Sequence, residues 1–459
     1  MTLQNTGSAR SEFTPVLLKE VELSLPLQPQ LDRDEAERNA YERLRLLVAL
    51  HSMPLGVIDL KLQGGHLSAD ELVSVIWRDL GHRIADHMRQ DDIPFGEKLT
   101  PAGLPFPFPP KCTVERDRLL ARAPFASVVV ATRDRPQLLA ASLTSLLAQD
   151  YPRYEIIVVD NAPTSDSTAE FVKRSFGHSS LVRYVREDLP GTSWARNLGI
   201  REARGEFVAF ADDDVLLDSK WLAGLAAGFQ ISPQVGCVTG MILPLELETQ
   251  AQMWIEQYGG FTKGFERRVF DVRDHRPDSP LFPYNAGMFG SGANMAFRTT
   301  VLREMGGFDS ALGGGSPAQG GEDLAAFFQV LAGGYQLVYE PSAIVRHNHI
   351  RNYSTLTRKM YGYGVGLSAY LTKSLYDNPE FVLDFITKIP RGLSFVFSSQ
   401  SSKNSRKGPD YPRELTSAER KGMLVGPFAY FRGRHRARQL RVRDVGSCLP
   451  VPAAIPNEA

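Results

Sequence analysis

Short β-branched runs alternate with helical segments from Phe125 onwards, and this alternation constrains the fold more than any other feature of the chain. The strand-like runs are Ala126 to Ala131 and Tyr154 to Val159, and the helical segments are Gln137 to Leu147 and Ser167 to Phe176. Strands that are joined by helices in this way form a parallel sheet with helical crossovers. We therefore predict an α/β domain that binds its ligands beyond the carboxyl ends of its strands.

Polar motifs follow the predicted strand ends. Thr132-Arg133-Asp134 follows the first strand, Asp160-Asn161 follows the second, and Asp212-Asp213-Asp214 follows the apolar run from Glu206 to Ala211. Carboxylates fixed at the tip of a buried strand repel one another and need a compensating cation. Their oxygen atoms suit Mg²⁺ or Mn²⁺, and an ion held by one or two carboxylates keeps positions open for phosphate oxygens. The acidic triplet therefore predicts a metal-assisted diphosphate site.

Length and composition restrict the class of protein. The 459 residues exceed one ordinary compact core, so we expect two or three domains. Lys plus Arg and Asp plus Glu both number 52, which removes the electrostatic argument for a dedicated nucleic-acid binder. The three cysteines, Cys112, Cys237 and Cys448, fit neither a disulfide framework nor a zinc-binding spacing. A reducing compartment is the simpler expectation.

Changes in composition mark the domain boundaries. Ser68 and Glu71 have capping-box spacing at the start of a predicted helix, whereas proline becomes dense between Asp92 and Pro124 and favours an extended linker. Residues 32–47 are predicted to form a charged helix. We predict a flexible arm (1–30), a small α+β module (31–92), a proline-rich linker (93–123), the α/β domain (124–350), a mainly helical extension (351–399) and a basic, partly disordered tail (400–459).

The terminal regions bear on localisation. Residues 1–18 lack the apolar core of a signal peptide, and charged residues and a proline interrupt the apolar segment from Phe381 to Phe397. We expect a cytoplasmic protein, peripheral at the inner membrane face if its basic tail contacts anionic lipid head groups; the alternative is a solvated tail. The tail cluster comprises Arg432, Arg434, Arg436, Arg438, Arg441 and Arg443.

Five segments in order resemble glycosyltransferase family 2 and its GT-A fold over roughly residues 124–350. They are the run from Val128 to Pro136, Ile157 to Asn161, Ala195 to Gly199, Asp212 to Asp214, and Gly321 to Asp323. The resemblance implies a Rossmann-like, mostly parallel sheet flanked by helices. It also implies an inverting, metal-dependent transfer of a hexosyl or related sugar from a nucleoside diphosphate to an acceptor hydroxyl, with Mn²⁺ or Mg²⁺ as the cofactor.

The resemblance also implies roles for the donor-binding residues. Asp160 is similar to the carboxylate that accepts a base N–H of the nucleotide, and Thr132 and Arg133 would line the same pocket. Arg196 would bind the ribose or the diphosphate. Within the triplet, Asp214 resembles the metal ligand and Asp212 a ribose or water-mediated contact, whereas Asp213 would orient the turn.

The family pattern continues towards the acceptor. Asp323 matches the general base of inverting members, although Glu322 and Asp323 would also suit a helix start. His347 stands where related transferases supply a histidine ligand to the ion, and His349 is an equal alternative. Three further residues are candidates for the acceptor or sugar pocket, each with a packing, turn or capping role as the alternative: Trp194, Asn294 and Glu322.

Other functions on the same fold stay open. A retaining glycosyltransferase or a sugar nucleotidyltransferase would use the same donor site, and a non-catalytic nucleotide- or glycan-binding protein would keep the site without turnover. A general base at Asp323 argues against a pure binder. The acceptor can be a glycan, a lipid-linked sugar or a small molecule, and the sequence specifies neither the donor sugar nor the base.

Overall fold

The computed structural model describes residues 13–27, 41–62, 67–94, 98–104, 106, 108–259 and 261–443. Its amino-terminal module is a three-stranded sheet in the order β1 (Val16–Glu22), β2 (Arg43–Leu50) and β3 (Met53–Lys61), covered by helix α1 (Ala69–Gln90). Strand β1 is parallel to β2, and β2 and β3 form an antiparallel hairpin. Ser68 caps α1 through a capping box with Glu71, as its spacing predicts.

Three sequence predictions for this region are wrong where the structure describes it. The predicted flexible arm contains β1, and the last part of the predicted charged helix lies in β2, while residues 32–40 fall outside the described residues. Strand β2 is stabilised by partners on both sides, which no local pattern reveals. The predicted extended linker contains helix α2 (Lys111–Ala121), which begins directly after Pro110, a position where proline is compatible with a helix start.

The central sheet and its helices follow, and the first strands and helices alternate as the sequence predicts. The elements are β4 (Ala126–Thr132), α3 (Pro136–Leu147), β5 (Tyr154–Asn161), α4 (Ser167–Phe176), β6 (Val182–Glu187), α5 (Thr192–Glu202), β7 (Phe207–Asp212), β8 (Val215–Leu217), α6 (Trp221–Phe229), β9 (Val235–Pro244), α7 (Gln250–Gly259), β10 (Arg268–Phe270), a 3₁₀ turn (Ala286–Met288), β11 (Asn294–Arg298), α8 (Thr299–Glu304), α9 (Glu322–Ala332) and β12 (Gln336–His347).

The order of the sheet is β10-β12-β9-β11-β7-β4-β5-β6, and β8 pairs with β12. The half made of β7, β4, β5 and β6 is parallel, whereas β11 runs antiparallel to both β7 and β9. The mixed α/β class, with a central sheet flanked by helices, confirms the predicted fold class. The parallel half supplies the strand ends on which the site is built.

Both faces of the parallel strands are buried, which explains their continuous apolar runs. Val128 and Val130 of β4 pack on one side of the sheet, and Val129 packs on the other. The same alternation holds along β5 and β7. Buried parallel strands of this kind hold their carboxyl ends in fixed positions.

The carboxyl-terminal region is helical: α10 (Tyr353–Asp377), a 3₁₀ turn (Pro379–Phe381), α11 (Val382–Phe397) and α12 (Arg413–Arg443). Helices α10 and α12 approach so closely that a Cβ atom on Gly364 would lie 1.9 Å from the carbonyl oxygen of Glu419. Residues 413–443 of the predicted basic, partly disordered tail are therefore helical, and residues 444–459 lie outside the described part of the chain. None of the helices within the described ranges has the length and hydropathy that crossing a membrane requires.

Candidate active site

Three parallel strand ends lie side by side at one edge of the central sheet. In the register of these strands Thr132 pairs with Asp160, and Ala131 pairs with Asp212. The structure therefore brings together the three polar motifs that follow β4, β5 and β7. This edge is where an open parallel sheet binds ligands.

Asp160 is fully buried at the end of β5. Its Oδ2 accepts a hydrogen bond from the Tyr184 hydroxyl at 2.9 Å, while its Oδ1 finds no hydrogen-bond partner among the described residues. Burial raises the pKa of Asp160, and the Tyr184 hydrogen bond partly opposes this. A donor N–H from a ligand would satisfy the second oxygen. Arg133, by contrast, is exposed and lies 3.8 Å from Asp134.

Arg196, on α5, connects the acidic strand end to the start of α9. Its side chain is almost wholly buried; Nη1 donates to Glu322 at 3.0 Å, and Nη2 donates to Asp212 and to the Gly292 carbonyl at 3.1 Å each. Burial opposes the charge, but Glu322, Asp212 and Asp323 outweigh it and raise the pKa of Arg196. Burial raises the pKa of Glu322, against the attraction of Arg196. This guanidinium therefore sets where two of the acidic side chains stand.

Asp213 is buried, and its side chain contacts the end of β4. Its Oδ2 accepts a hydrogen bond from Thr132 at 2.7 Å, and Arg135 Nη1 lies 3.4 Å from its Oδ1. Burial raises the pKa of Asp213. These contacts anchor the turn after β7 to β4. Arg135 is a residue that sequence reasoning missed, because the run from Val128 to Pro136 contains two arginines and the sequence does not show which of them contacts Asp213.

Asp214 and His347 lie together because β8 pairs with the end of β12. Val215 pairs with His347, and the Asn348 backbone N–H donates to the Asp214 carbonyl at 3.0 Å. The Oδ1 of Asp214 is buried, accepts no hydrogen bond from any described residue and stands 3.7 Å from His347 Nε2. Burial, then Asp212 and Asp213, raise the pKa of Asp214 to about 7. Burial and His349 lower the pKa of His347 to about 4, so its ring is neutral near pH 7.

Hydrogen bonds decide which histidine presents a lone pair to Asp214. His349 Nε2 lies 2.9 Å from Glu256, and the Nδ1 atoms of His347 and His349 lie 2.9 Å apart. A carboxylate only accepts, so in the neutral ring His349 carries its proton on Nε2 and accepts from His347 at Nδ1. His347 Nε2 is then unprotonated and faces Asp214. The pattern therefore assigns His347 as the possible ligand and His349 as the residue that fixes its tautomer.

Asp323 is half-buried in the first turn of α9. Its Oδ2 accepts from the Gly292 N–H at 2.7 Å, and its Oδ1 accepts from the Leu324 N–H at 2.8 Å. Gly321, which precedes the helix, has a φ of +85°, and a Cβ atom there would lie 2.4 Å from the Gly366 carbonyl oxygen of α10. The turn therefore needs glycine, and the backbone holds the Asp323 carboxylate in a fixed orientation.

Asn294 and Trp194, two candidates for the acceptor or sugar pocket, contact other parts of the protein. Asn294 is fully buried: its amide donates to the Met241 and Ala343 carbonyls, and its oxygen accepts from Trp221. Its hydrogen bonds thus connect strands in the core, and we remove it from the sugar-pocket candidates. Trp194 is buried beneath the guanidinium of Arg441, which lies 5.5 Å from the ring centroid. The carboxyl-terminal helix α12 therefore reaches the site region.

Helix α10 contributes a cation that the sequence gave no signal for. The Lys359 amine lies 5.4 Å from the centre of the Tyr363 ring, which is stacked on Tyr258 at 5.6 Å. Tyr363 raises the pKa of Lys359, which is exposed, and Asp212 adds to this increase. Lys359 is therefore held in its charged form near the acidic strand end.

The side chains at this edge of the sheet suit the binding of a divalent metal ion. Asp212 and Asp214 add negative charge to a partly buried edge, and two groups with ligand bonds of about 2.1 Å can share an ion when their atoms are up to about 4.2 Å apart. The 3.7 Å between Asp214 Oδ1 and His347 Nε2 falls within this reach. The buried, unpartnered oxygen of Asp214 is the observation that makes the fit specific.

Comparison with known proteins identifies the domain. The family model "Glycosyl transferase family 2" matches residues 127–306. The chain is 25% identical over 252 residues, 55% of its length, to a pre-mycofactocin glycosyltransferase of Mycobacterium tuberculosis, of which the match covers 47%. It is 24% identical over 230 residues, 48% of its length, to a glucosyl-dolichyl phosphate glucuronosyltransferase of Haloferax volcanii, of which the match covers 68%. Matches cover 13% to 68% of the lengths of the curated relatives.

A solved mannosyltransferase from Pyrobaculum calidifontis, in complex with GDP-Man and Mn²⁺, shares 19% identity. The alignment covers 73% of this chain and 83% of that one, with a TM-score of 0.39, which is too low to support an argument about this site. The match of the family model, in the segment that carries the strand-end motifs, confirms the predicted resemblance. Residues 127–306 of this chain therefore match glycosyltransferase family 2.

Proposed function

We propose that the protein is an inverting, metal-dependent glycosyltransferase that moves a sugar from a nucleoside diphosphate to an acceptor hydroxyl. The observation that carries the proposal is the pair formed by Asp214 and His347 at the end of the parallel sheet half. A buried carboxylate oxygen without a hydrogen-bond donor faces an unprotonated imidazole nitrogen at 3.7 Å. Such a pair is suited to binding a cation, and without a cation the buried oxygen has a free-energy cost because it lacks a partner.

The nucleotide would occupy the crevice beyond β4 and β5. Asp160 offers its unpartnered Oδ1 to an N–H of the base, and the hydroxyl of the half-buried Tyr184 holds the other oxygen in place. Thr132 is engaged by Asp213, so it acts by fixing the strand end. Arg133 is exposed and can close over a bound nucleotide from the solvent side.

Asp214 and His347 would hold Mn²⁺ or Mg²⁺, with Asp212 nearby. When bound, the ion supplies Lewis acidity that offsets the charge developing on the departing nucleoside diphosphate. Arg196 uses three hydrogen bonds inside the protein, so its role is to position Asp212 and Glu322. Lys359 adds positive charge on the solvent side of the same edge.

Asp323 would accept the proton of the acceptor hydroxyl as oxygen attacks the anomeric carbon. A general base must stand within hydrogen-bond reach of the proton and keep its orientation. Two backbone N–H groups give Asp323 that orientation, and each of its oxygens retains a further lone pair. Attack and departure from opposite faces of the sugar invert the anomeric centre.

The test is a transfer assay with a panel of nucleoside diphosphate sugars and acceptors. It measures release of the nucleoside diphosphate and the anomeric configuration of the product by NMR. We expect Mn²⁺-dependent release and inversion in the wild type. Asp323→Asn should lower kcat by at least about 100-fold, the usual contribution of a general base, and leave donor binding in place. Asp278→Asn, which changes an exposed carboxylate, is the matched control.

Three outcomes would contradict the proposal. Retention of configuration would favour a retaining enzyme, and release of pyrophosphate would favour nucleotidyl transfer. Absence of turnover across the panel, with nucleotide binding retained, would favour a binding protein. Unchanged turnover in Asp323→Asn would remove this residue as the base.

We further propose that α11 and α12 contact an anionic membrane surface, which would suit a lipid-linked acceptor. Leu383 and Leu393 of α11 are 74% and 54% exposed, and Leu424 and Phe428 of α12 are 77% and 78% exposed. Arg420 packs on the Phe397 ring at 4.6 Å and connects the two helices at this face. Exposed apolar side chains beside basic residues are typical of interfacial helices.

Co-sedimentation with anionic and neutral vesicles tests this contact. We expect the wild type to bind anionic vesicles, and the Leu383→Glu/Phe428→Glu variant to lose most of this binding. Leu138→Glu, at a half-exposed position on α3, is the control. Equal binding of the wild type and the double variant would contradict the proposal.

A further inference from the structure

Four side chains with metal-binding atoms meet in the amino-terminal module, far along the chain from the acidic triplet. They are His51 in the turn between β2 and β3, His87 and Asp91 at the end of α1, and Cys112 in the first turn of α2. His51, His87 and Asp91 are each less than 9% exposed, and Cys112 is half-buried. Their ligand atoms all lie within 4.8 Å of one another.

The separations between these atoms are close to the edges of one coordination tetrahedron. Asp91 Oδ2 lies 3.0 Å from His51 Nδ1, 3.3 Å from His87 Nε2 and 3.0 Å from Cys112 Sγ. His87 Nε2 lies 3.2 Å from His51 Nδ1 and 3.9 Å from Cys112 Sγ. Zinc bonds of about 2.0 Å to nitrogen or oxygen and about 2.3 Å to sulfur give tetrahedral edges of about 3.3–3.5 Å in a set with one sulfur, and the observed separations lie within about 0.5 Å of these edges.

The chemistry of the donors selects the metal. One thiol, two imidazoles and one carboxylate form a mixed set that suits zinc, whereas Mg²⁺ and Mn²⁺ prefer oxygen ligands. A fully supplied set of four protein ligands is typical of a structural site. From these contacts we propose that His51, His87, Asp91 and Cys112 bind one structural Zn²⁺ ion, in a second metal site separate from the proposed donor site.

Neighbouring groups hold the cluster in place. The His51 N–H and the Ser52 N–H both donate to the Glu22 carboxylate, at 2.9 and 2.8 Å, which fixes a turn whose two residues have positive φ angles. The Cys112 N–H donates to Asp91 Oδ1 at 2.8 Å, and Arg116 of α2 donates to the His51 carbonyl at 3.0 Å. Outer contacts of this kind orient metal ligands.

The position of the cluster defines what the ion would do. It joins α1, the β2–β3 turn and α2 across the proline-rich segment. Ser52, beside His51, also accepts a hydrogen bond from Lys220 of the catalytic domain. The ion would therefore hold the amino-terminal module together and support its contact with the catalytic domain.

Metal content of the full-length protein tests the site. The protein is purified without chelators, its affinity tag is removed, and zinc is measured by mass spectrometry after dialysis. We expect one zinc ion per chain in the wild type and in Asp214→Asn, which alters only the proposed donor site. His87→Gln should lose most of the zinc, whereas His82→Gln, an exposed histidine on the same helix, should keep it.

Cobalt substitution in the wild-type protein tests the proposed site even if the His87→Gln variant fails to fold. Co²⁺ in this site should give tetrahedral absorption bands and a sulfur-to-cobalt charge-transfer band, and the latter should disappear in Cys112→Ser. A wild type that takes up neither zinc nor cobalt with these spectra overturns the proposal, and the cluster is then a buried hydrogen-bond network. Zinc lost in Asp214→Asn and kept in His87→Gln would also overturn it.

Discussion

Replacing Arg196 by Met tests whether its guanidinium holds the active site together. The change leaves the buried carboxylate of Glu322 and the Gly292 carbonyl without the partners that lie 3.0 and 3.1 Å away, and it frees Asp212. Removing one partner of a buried ion pair typically costs about 3–5 kcal/mol, because the remaining charge is uncompensated. We expect a loss of this size in the free energy of unfolding of the central α/β domain, measured by urea titration.

A second change distinguishes lost charge compensation from lost packing. Glu322→Gln in the Arg196→Met background removes the uncompensated charge and should restore about 1–3 kcal/mol. Arg201→Met, on the same helix, removes an exposed guanidinium that lies 3.6 Å from Glu187 and should cost less than about 1 kcal/mol. The reasoning is refuted if Arg196→Met costs no more than Arg201→Met, or if adding Glu322→Gln destabilises the protein further.

Three further changes probe other parts of the account. Asp160→Asn should weaken nucleotide binding by about 10- to 100-fold in calorimetry, since a charge-assisted hydrogen bond contributes about 1.5–3 kcal/mol; unchanged affinity would remove it from the base pocket. His349→Ala should lower Mn²⁺ affinity by about 10- to 100-fold, because it no longer fixes the tautomer of its neighbour. Gly321→Ala should destabilise the protein by more than Gly334→Ala in urea titration, because both have φ near +80° but only Gly321 has a carbonyl oxygen 2.4 Å from the added Cβ atom.

The sequence predicts the central sheet well because its signals are local. Each strand of the parallel half is a short apolar run, and each crossover helix has its own apolar spacing. Strand β2 and helix α12 are different, because partners distant in sequence stabilise them. Gly364 and Gly426 allow α10 and α12 to pack closely, and no pattern within the basic tail reveals that partner.

Some residues of the candidate site could likewise be predicted from the sequence, and others could not. Asp160 and the acidic triplet could be placed from sequence, because strand ends of a parallel sheet lie at one edge. Lys359 could not be predicted, since it comes from a helix that follows the domain. The choice between His347 and His349 depends on a hydrogen bond to Glu256, nearly a hundred residues earlier in the chain.

Cysteine spacing also failed to reveal the proposed zinc site. Cys112 stands alone in its segment, and the other donors, His51, His87 and Asp91, come from elements 21 to 61 residues away. Zinc spacing rules describe ligands that are close in sequence. Here the folding of the β2–β3 turn against α1 and α2 assembles the set.

Metal-dependent nucleotide binding by Asp214 variants tests the central claim most directly. Thermal unfolding is followed with UDP or GDP, with and without Mn²⁺, for the wild type, Asp214→Asn and Asp213→Asn. A nucleotide at 100 times its Kd stabilises the folded state by about 2.7 kcal/mol. We predict that Mn²⁺ increases the nucleotide-induced rise in Tm for the wild type and Asp213→Asn, and has no such effect in Asp214→Asn. An equal Mn²⁺-dependent rise in Asp214→Asn would contradict the proposed donor site.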